Sequence, residues 1–305
     1  MPNANSAKCW RPRPESNRGI RICSPLRNHS ATWPLADPTT IRSGPRAGPN
    51  SKRPPRQQWR PCLLLDAAPF LSLRGLNLSG GAMIDFERLR QSMVDSQIRP
   101  NDVTDPRVIA AMLDLPRERF VPSRRAELAY LDDDLIVREA GAAGPARYLI
   151  EPMILAKLVQ ALELTGGEHA LDVGCATGYS TAMLSRLAKT VVGLETDVEL
   201  ASAARNILAE LAVTGAQIVV GPMTIGVPQS GPYDAILVNG AVEVVPDGLL
   251  DQLKDGGRLV AVVRSGPLGR ATLHVRKGGV VSKRPLFDAA VPPLPGFEAP
   301  RGFVF

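Results

Sequence analysis

Cysteine and aromatic residues are scarce in this chain: four cysteines and 5% Phe, Trp and Tyr among 305 residues. Three of the cysteines (Cys9, Cys23, Cys62) and all three tryptophans (Trp10, Trp33, Trp59) fall within residues 1–82. Residues 83–305 therefore carry one cysteine, Cys175, which excludes an internal disulfide there and fits a reducing cytoplasm. Histidine is equally sparse, and neither His169 nor His274 has a cysteine or second histidine nearby, which argues against a metal site. Long apolar runs are missing too. The stretch Cys62 to Leu78 is interrupted by Asp66, Pro69 and Arg74 and falls short of the ~20 residues a bilayer span needs. Neither a membrane segment nor a secretory signal is expected.

Acidic residues are nearly absent from one part of the chain only. Residues 1–82 hold 13 Lys and Arg against 3 Asp and Glu, whereas the remainder holds 23 against 27. The net charge of +6 thus belongs to the leader, and the rest gives no electrostatic reason to expect a nucleic-acid partner. The leader also takes 12 of the 28 prolines and shows no sustained period of 2 or 3.6, so it has no face to bury. Its prolines would break the amphipathic helix of an organelle transit peptide. The run Arg13-Pro14-Glu15-Ser16-Asn17-Arg18-Gly19-Ile20 through Thr32 resembles a peptide that recurs when a transfer-RNA gene is translated. We read residues 1–82 as a disordered, spurious extension, with translation starting at Met83; the alternative is a basic nucleic-acid-binding arm.

From Met83 onward the pattern is that of one domain. Phe86, Leu89, Met93 and Val94 share a helical face, and Asp105-Pro106 opens a second helix carrying Val108, Ile109, Met112 and Leu113. A short helix is expected over residues 123–131, followed by extended chain through Val137 and a flexible Glu139–Pro145 stretch. Pro152 opens a helix with Ile154, Leu155, Leu158, Val159 and Leu162 inward. Strands are then expected over 170–173, 190–194, 217–220, 235–238 and 258–263, separated by helices over 178–187, 198–211 and 246–253. Such alternation predicts an α/β, doubly wound, mostly parallel sheet. Ala271–Val275, Lys277-Gly278-Gly279 and the segment from Val280 add a C-terminal antiparallel hairpin, and the first helices form an N-terminal cap.

The chemistry is expected at Asp172-Val173-Gly174-Cys175-Ala176-Thr177-Gly178, where a strand meets a helix. Ligands of doubly wound sheets bind at the carboxyl ends of strands, and Gly174 and Gly178 permit close backbone approach. The Gly-x-x-x-Gly spacing differs from the dinucleotide fingerprint, and a carboxylate at Asp172 would repel a pyrophosphate but complement a cation. Glu195 ends the next strand, where an acid can take both hydroxyls of a ribose. This set (Asp172, Gly174, Cys175, Ala176, Gly178, Glu195) resembles the glycine-rich loop of S-adenosylmethionine-dependent methyltransferases.

Four blocks before the loop narrow the resemblance: Met93-Val94-Asp95-Ser96-Gln97-Ile98, Asp105–Met112, Pro116-Arg117-Glu118-Arg119-Phe120-Val121-Pro122 and Ala129-Tyr130-Leu131-Asp132. With Tyr233–Val238 and Leu249–Val260 they resemble protein-L-isoaspartate O-methyltransferases over essentially all of 83–305. The resemblance implies a seven-stranded, Rossmann-like sheet, S-adenosyl-L-methionine as donor, and methyl esterification of isoaspartyl side chains in damaged proteins as a repair step. One departure concerns the family's substrate loop, Gln-Thr-Ile-Ser-Gln-Pro, which here reads Arg147-Tyr148-Leu149-Ile150-Glu151-Pro152. Another is Gly221-Pro222-Met223, where many members have Gly-Asp-Gly. Candidate acceptor residues are Arg147, which could clamp a carboxylate through two parallel hydrogen bonds, Tyr148, and Asn239 after the fourth strand. Cys175 is read as a small residue filling its loop, and Asp132-Asp133-Asp134 as a solvated turn. The rebuilt loop leaves two rival readings: a methyltransferase with a different acceptor, and a donor-binding homologue without turnover.

Overall fold

The computed structural model describes residues 84–299 except 143 and 267, so the leader expected over 1–82 lies outside the described residues. Asp85 caps helix α1 (Phe86–Met93) by accepting from the Arg88 amide at 3.0 Å, and Asp105 caps α2 (Pro106–Asp114) through the Arg107 amide at 2.9 Å. Met93, Val94, Val108, Ile109 and Met112 are buried as their spacing predicts, but Leu89 stays at the surface and Leu113 is half-buried. The segment after Pro122 is a 3-10 turn over Ser123–Leu128 instead of a helix reaching residue 131. Six residues are too few to sustain an α-helix, and the Ala129 carbonyl is taken by the Arg117 side chain at 2.8 Å.

Two short strands, β1 (Leu135–Arg138) and β2 (Arg147–Leu149), pair antiparallel and lead into α3 (Pro152–Ala161). The acidic turn expected to be merely solvated does more. Asp134 accepts from the Glu151 amide at 2.9 Å and Asp132 from the Met153 amide at 3.4 Å, satisfying donors at the start of α3.

The main sheet has seven strands, as expected: β3 (His169–Val173), β4 (Thr190–Glu195), β5 (Ala216–Val220), β6 (Tyr233–Val242), β7 (Leu253–Ser265), β8 (Leu268–Lys277) and β9 (Val280–Ala289). Their spatial order is β5-β4-β3-β6-β7-β8-β9, parallel through β7 and antiparallel beyond it. Helices α4 (Tyr179–Ser185), α5 (Val198–Glu210) and α6 (Asp247–Leu250) connect the parallel strands. Alternate residues serve opposite faces: Ala170, Val191 and Leu237 join one core with Leu155, Tyr179 and Met183, while Leu171, Val192 and Ile236 join the other. Each fully buried Leu or Ile in these layers contributes roughly 1.5–3 kcal/mol relative to exposure. Gly278 and Gly279, at φ 58° and 79°, supply the turn of the β8–β9 hairpin.

Strand β6 outruns its expected end at Val238 by four residues. The Asn239-Gly240 pair reads locally as a turn, but the C-terminal segment supplies a ladder partner: Ala241 donates to Pro292 O at 2.9 Å, and Leu294 donates back to Ala241 O at 2.7 Å. Helix α6 is correspondingly shorter than expected, because Leu253 already pairs with Tyr233 as the first residue of β7. The order also shows the switch point. From β3 the chain steps outward to β4 and β5, then returns to the other side of β3 as β6, which opens a crevice between the ends of β3 and β6.

Arg117 is fully buried and pins the cap to the loop before α3, donating to Ala129 O at 2.8 Å and Ile150 O at 2.7 Å with its guanidinium over the Tyr179 ring. Arg117→Ala strands both carbonyls and leaves a cavity, so we expect a loss of about 3 kcal/mol, read as a lower urea midpoint at unchanged slope. A second expectation comes from the acidic turn. Burial, then the charges of Asp132, Asp134 and Asp133, push Glu151 up to about 7, and burial pushes Asp134 up to about 6. Raised carboxyl values mean that the folded state holds extra protons; the stability these groups contribute is complete near pH 4 and is lost as pH rises through 6 and 7. Glu151→Gln should therefore melt above the wild type at about pH 8, with the difference shrinking toward about pH 4.5 in circular-dichroism melts; a constant gap would contradict it.

Candidate functional site

The turn after β3 and the end of β4 bring Asp172, Gly174, Cys175, Ala176 and Glu195 together, whereas Gly178, at the start of α4, faces Ala204 and Leu208 of α5. Gly174 and Gly178 adopt φ of 80° and 92°, and Ala176 also has positive φ, so the loop folds back on β4 through the Gly174 and Cys175 amides, both donating to Leu194 O. Asp172 is wholly buried and accepts at one oxygen from Ser180 Oγ (2.6 Å) and Thr181 Oγ1 (2.7 Å). Burial is the main reason its carboxyl is pushed up to about 6, with the Glu195 charge adding to it. Asn239 joins this network by donating to Ser180 Oγ at 2.7 Å. Asp172 Oδ1 and Asn239 Oδ1 are buried acceptors without a hydrogen-bond partner. Two such oxygens belonging to one Ser180-linked network suit a cationic group. Cys175 is fully buried, and burial first of all holds its thiol well above the ordinary value, as befits a space-filling residue.

The ribose-side acid is arranged differently from expectation. Glu195 is 0% exposed, and its two oxygens accept from the amides of Thr196 (2.9 Å), Asp197 (3.1 Å) and Ala176 (2.9 Å). Both also accept from Arg147: Nη1 bonds Oε1, and Nη2 bonds Oε2 at 2.8 Å. Arg147, 4% exposed, additionally reaches Gly174 O at 3.4 Å. The bidentate pair foreseen for Arg147 therefore exists, but its carboxylate is Glu195 and not an incoming acceptor. Strand alternation puts Tyr148 on the other face of β2 from Arg147, where it is half-buried.

One contributor has no counterpart in the sequence-based expectation: the strap 292–297 that pairs with the end of β6. Leu294 is 4% exposed, and its Cδ1 lies 2.7 Å from the point where a Cβ on Gly174 would stand, while its Cβ is 3.1 Å from the equivalent point on Gly240. The signal was present as Val291-Pro292-Pro293-Leu294-Pro295-Gly296, an extended apolar run after the last strand. The S-adenosylmethionine implied by the resemblance can be tested against this arrangement. The deep end, with its two unpaired oxygens, suits an ammonium. The middle does not fit, because Leu294 fills the space over Gly174 and Arg147 holds the acid meant for the ribose. Outside them a cavity of about 350 Å3 remains, lined by Arg138, Arg147, Asp197, Met223, Thr224 and Gly296 among others.

Comparison with known proteins places this architecture. The family described as Protein-L-isoaspartate(D-aspartate) O-methyltransferase (PCMT) matches residues 88–289. A protein-L-isoaspartate O-methyltransferase of Methanoculleus marisnigri is 38% identical over 209 residues, covering 68% of this chain and 92% of that one. Protein-L-isoaspartate O-methyltransferase 1 of Rhodopseudomonas palustris is 36% identical over 215 residues, covering 70% and 85%. A solved protein-L-isoaspartate O-methyltransferase superposes with a TM-score of 0.60 at 25% identity over 69% of this chain and 66% of its own, just under two thirds of that longer chain. A Plasmodium falciparum structure, in complex with S-adenosyl-L-homocysteine, shares the fold at a TM-score of 0.57 and 20% identity, over 70% of this chain and 99% of its own. Cap, sheet and crevice are covered together by these matches, and the chain belongs to the protein-L-isoaspartate(D-aspartate) O-methyltransferase family.

Proposed function

We propose that this chain is a cytoplasmic, S-adenosyl-L-methionine-dependent O-methyltransferase that esterifies isoaspartyl carboxylates in damaged proteins. The observation that carries the reading is the extent of the family match: it begins at residue 88, so it takes in the helical cap and acceptor loop as well as the generic crevice. The unpaired oxygens of Asp172 and Asn239 support it, as acceptors suited to the ammonium of the donor. An isoaspartyl carboxylate is ionised at neutral pH and needs no general base, so the task left to the protein is orientation and exclusion of water. Ile150 stands where the family's loop carries a hydroxyl and supplies none, so the phenol of Tyr148 is our candidate for orienting the acceptor, the Asn239 amide nitrogen being spent on Ser180 and its oxygen given to the donor's ammonium.

A second reading, a homologue that keeps the fold without turnover, is favoured by one observation: the Arg147–Glu195 pair occupies the acid that a ribose would need. The two separate in one assay. Incubation with methyl-labelled donor and an isoaspartyl peptide should yield a base-labile methyl ester on that peptide and none on the normal aspartyl isomer. Absence of ester at enzyme concentrations stoichiometric with peptide would leave the second reading standing.

A further inference from the structure

The crevice is closed by two of the chain's own side chains arriving from opposite directions. Arg147 comes from β2, ahead of the sheet, and presents two parallel N–H donors to Glu195, the same pattern that a vicinal diol would present. Leu294 comes from the C-terminal strap and lies against Gly174 and Gly240, in the space that a side chain at either position would take. The strap is held there by ladder bonds to Ala241 and by Phe297 O accepting from the Glu243 amide at 3.1 Å. Beside the pair lies the cavity of about 350 Å3 whose wall includes Arg147 itself and Asp197. A guanidinium leaving Glu195 thus has room beside it, while Asp197 is already taken by Arg138 and by the Glu199 and Leu200 amides that it caps.

We propose that Arg147 and Leu294 form an internal plug that competes with the donor nucleoside for Glu195 and for the space over Gly174, so that ligand is captured only from a minor, unplugged form. The proposal rests on the donor-binding reading above and adds a regulatory device to it. A ligand drawn to the unplugged form alone binds with an affinity reduced by the fraction of molecules in that form. Loosening either half of the plug raises that fraction, and any condition that draws Arg147 off Glu195 does the same.

The test is calorimetric titration of the full chain with S-adenosyl-L-homocysteine, which binds without reacting. Arg147→Gln, which installs the residue type of the family's substrate loop, and Leu294→Ala should each bind at least tenfold more tightly than the wild type. Leu273→Ala, a core truncation in β8, two strands beyond β6, controls for general loosening and should leave the affinity within twofold. Thermal melts verify that each variant unfolds cooperatively; should Arg147→Gln fail to fold, Leu294→Ala decides alone. Wild-type affinity equal to that of the plug variants, or weaker binding by the variants, overturns the plug while leaving the donor-binding reading intact. No binding by any form overturns both.

Discussion

A carboxylate removed from water has to be paired, and the arrangement around Glu195 follows from that requirement. The end of β4 buries this acid completely, and three backbone amides from the two adjoining loops converge on it with the Arg147 guanidinium. The Ala176 amide reaches it only because the glycine loop turns back through positive φ, and the Thr196 and Asp197 amides reach it because they open α5. One carboxylate thereby fixes the ends of β3 and β4, the start of α5 and the position of β2 relative to the sheet. Removing Arg147 without substituting another donor would leave a buried charge with amides alone.

Much of the architecture was legible because it rests on period and punctuation. Strands buried on both faces appear as short apolar runs, helices as 3.6-residue stripes with Asp caps, and the hairpin as a Gly-Gly turn, and most lie close to their expected places, the segments 123–131 and 246–253 excepted. Features decided by distant partners were not legible. Strand β6 continues past Asn239-Gly240 because residues some fifty positions later pair with it, and no local propensity records that. Of the β1–β2 ladder only the extended chain through Val137 was legible, because β2 is three residues long and too short for a period to register in sequence.

At the crevice the pattern of legibility is similar. The placement of Asp172, Gly174, Ala176 and Glu195 around one rim follows from strand ends and a switch point, both of which periodicity locates. The partner of Arg147 did not follow, since a guanidinium in a loop pairs with whatever carboxylate the fold delivers. The divergent substrate loop was legible as a changed set of residues; its physical content is a cation reaching Glu195, 48 residues downstream. Asp132-Asp133-Asp134 likewise turned out to serve the first amides of α3, a role set by the angle at which the loop meets the helix.

Strand β9 closes one side of the sheet and has no neighbour beyond it among the described residues. An open strand is ordinarily an invitation to another molecule's backbone, yet its middle exposes Lys283, Arg284 and Pro285 in succession. Two like charges repel an identical copy, and a proline withholds the N–H that a recruited strand would need. The charges and the proline of the long hairpin thus work against fibrous self-association at this margin.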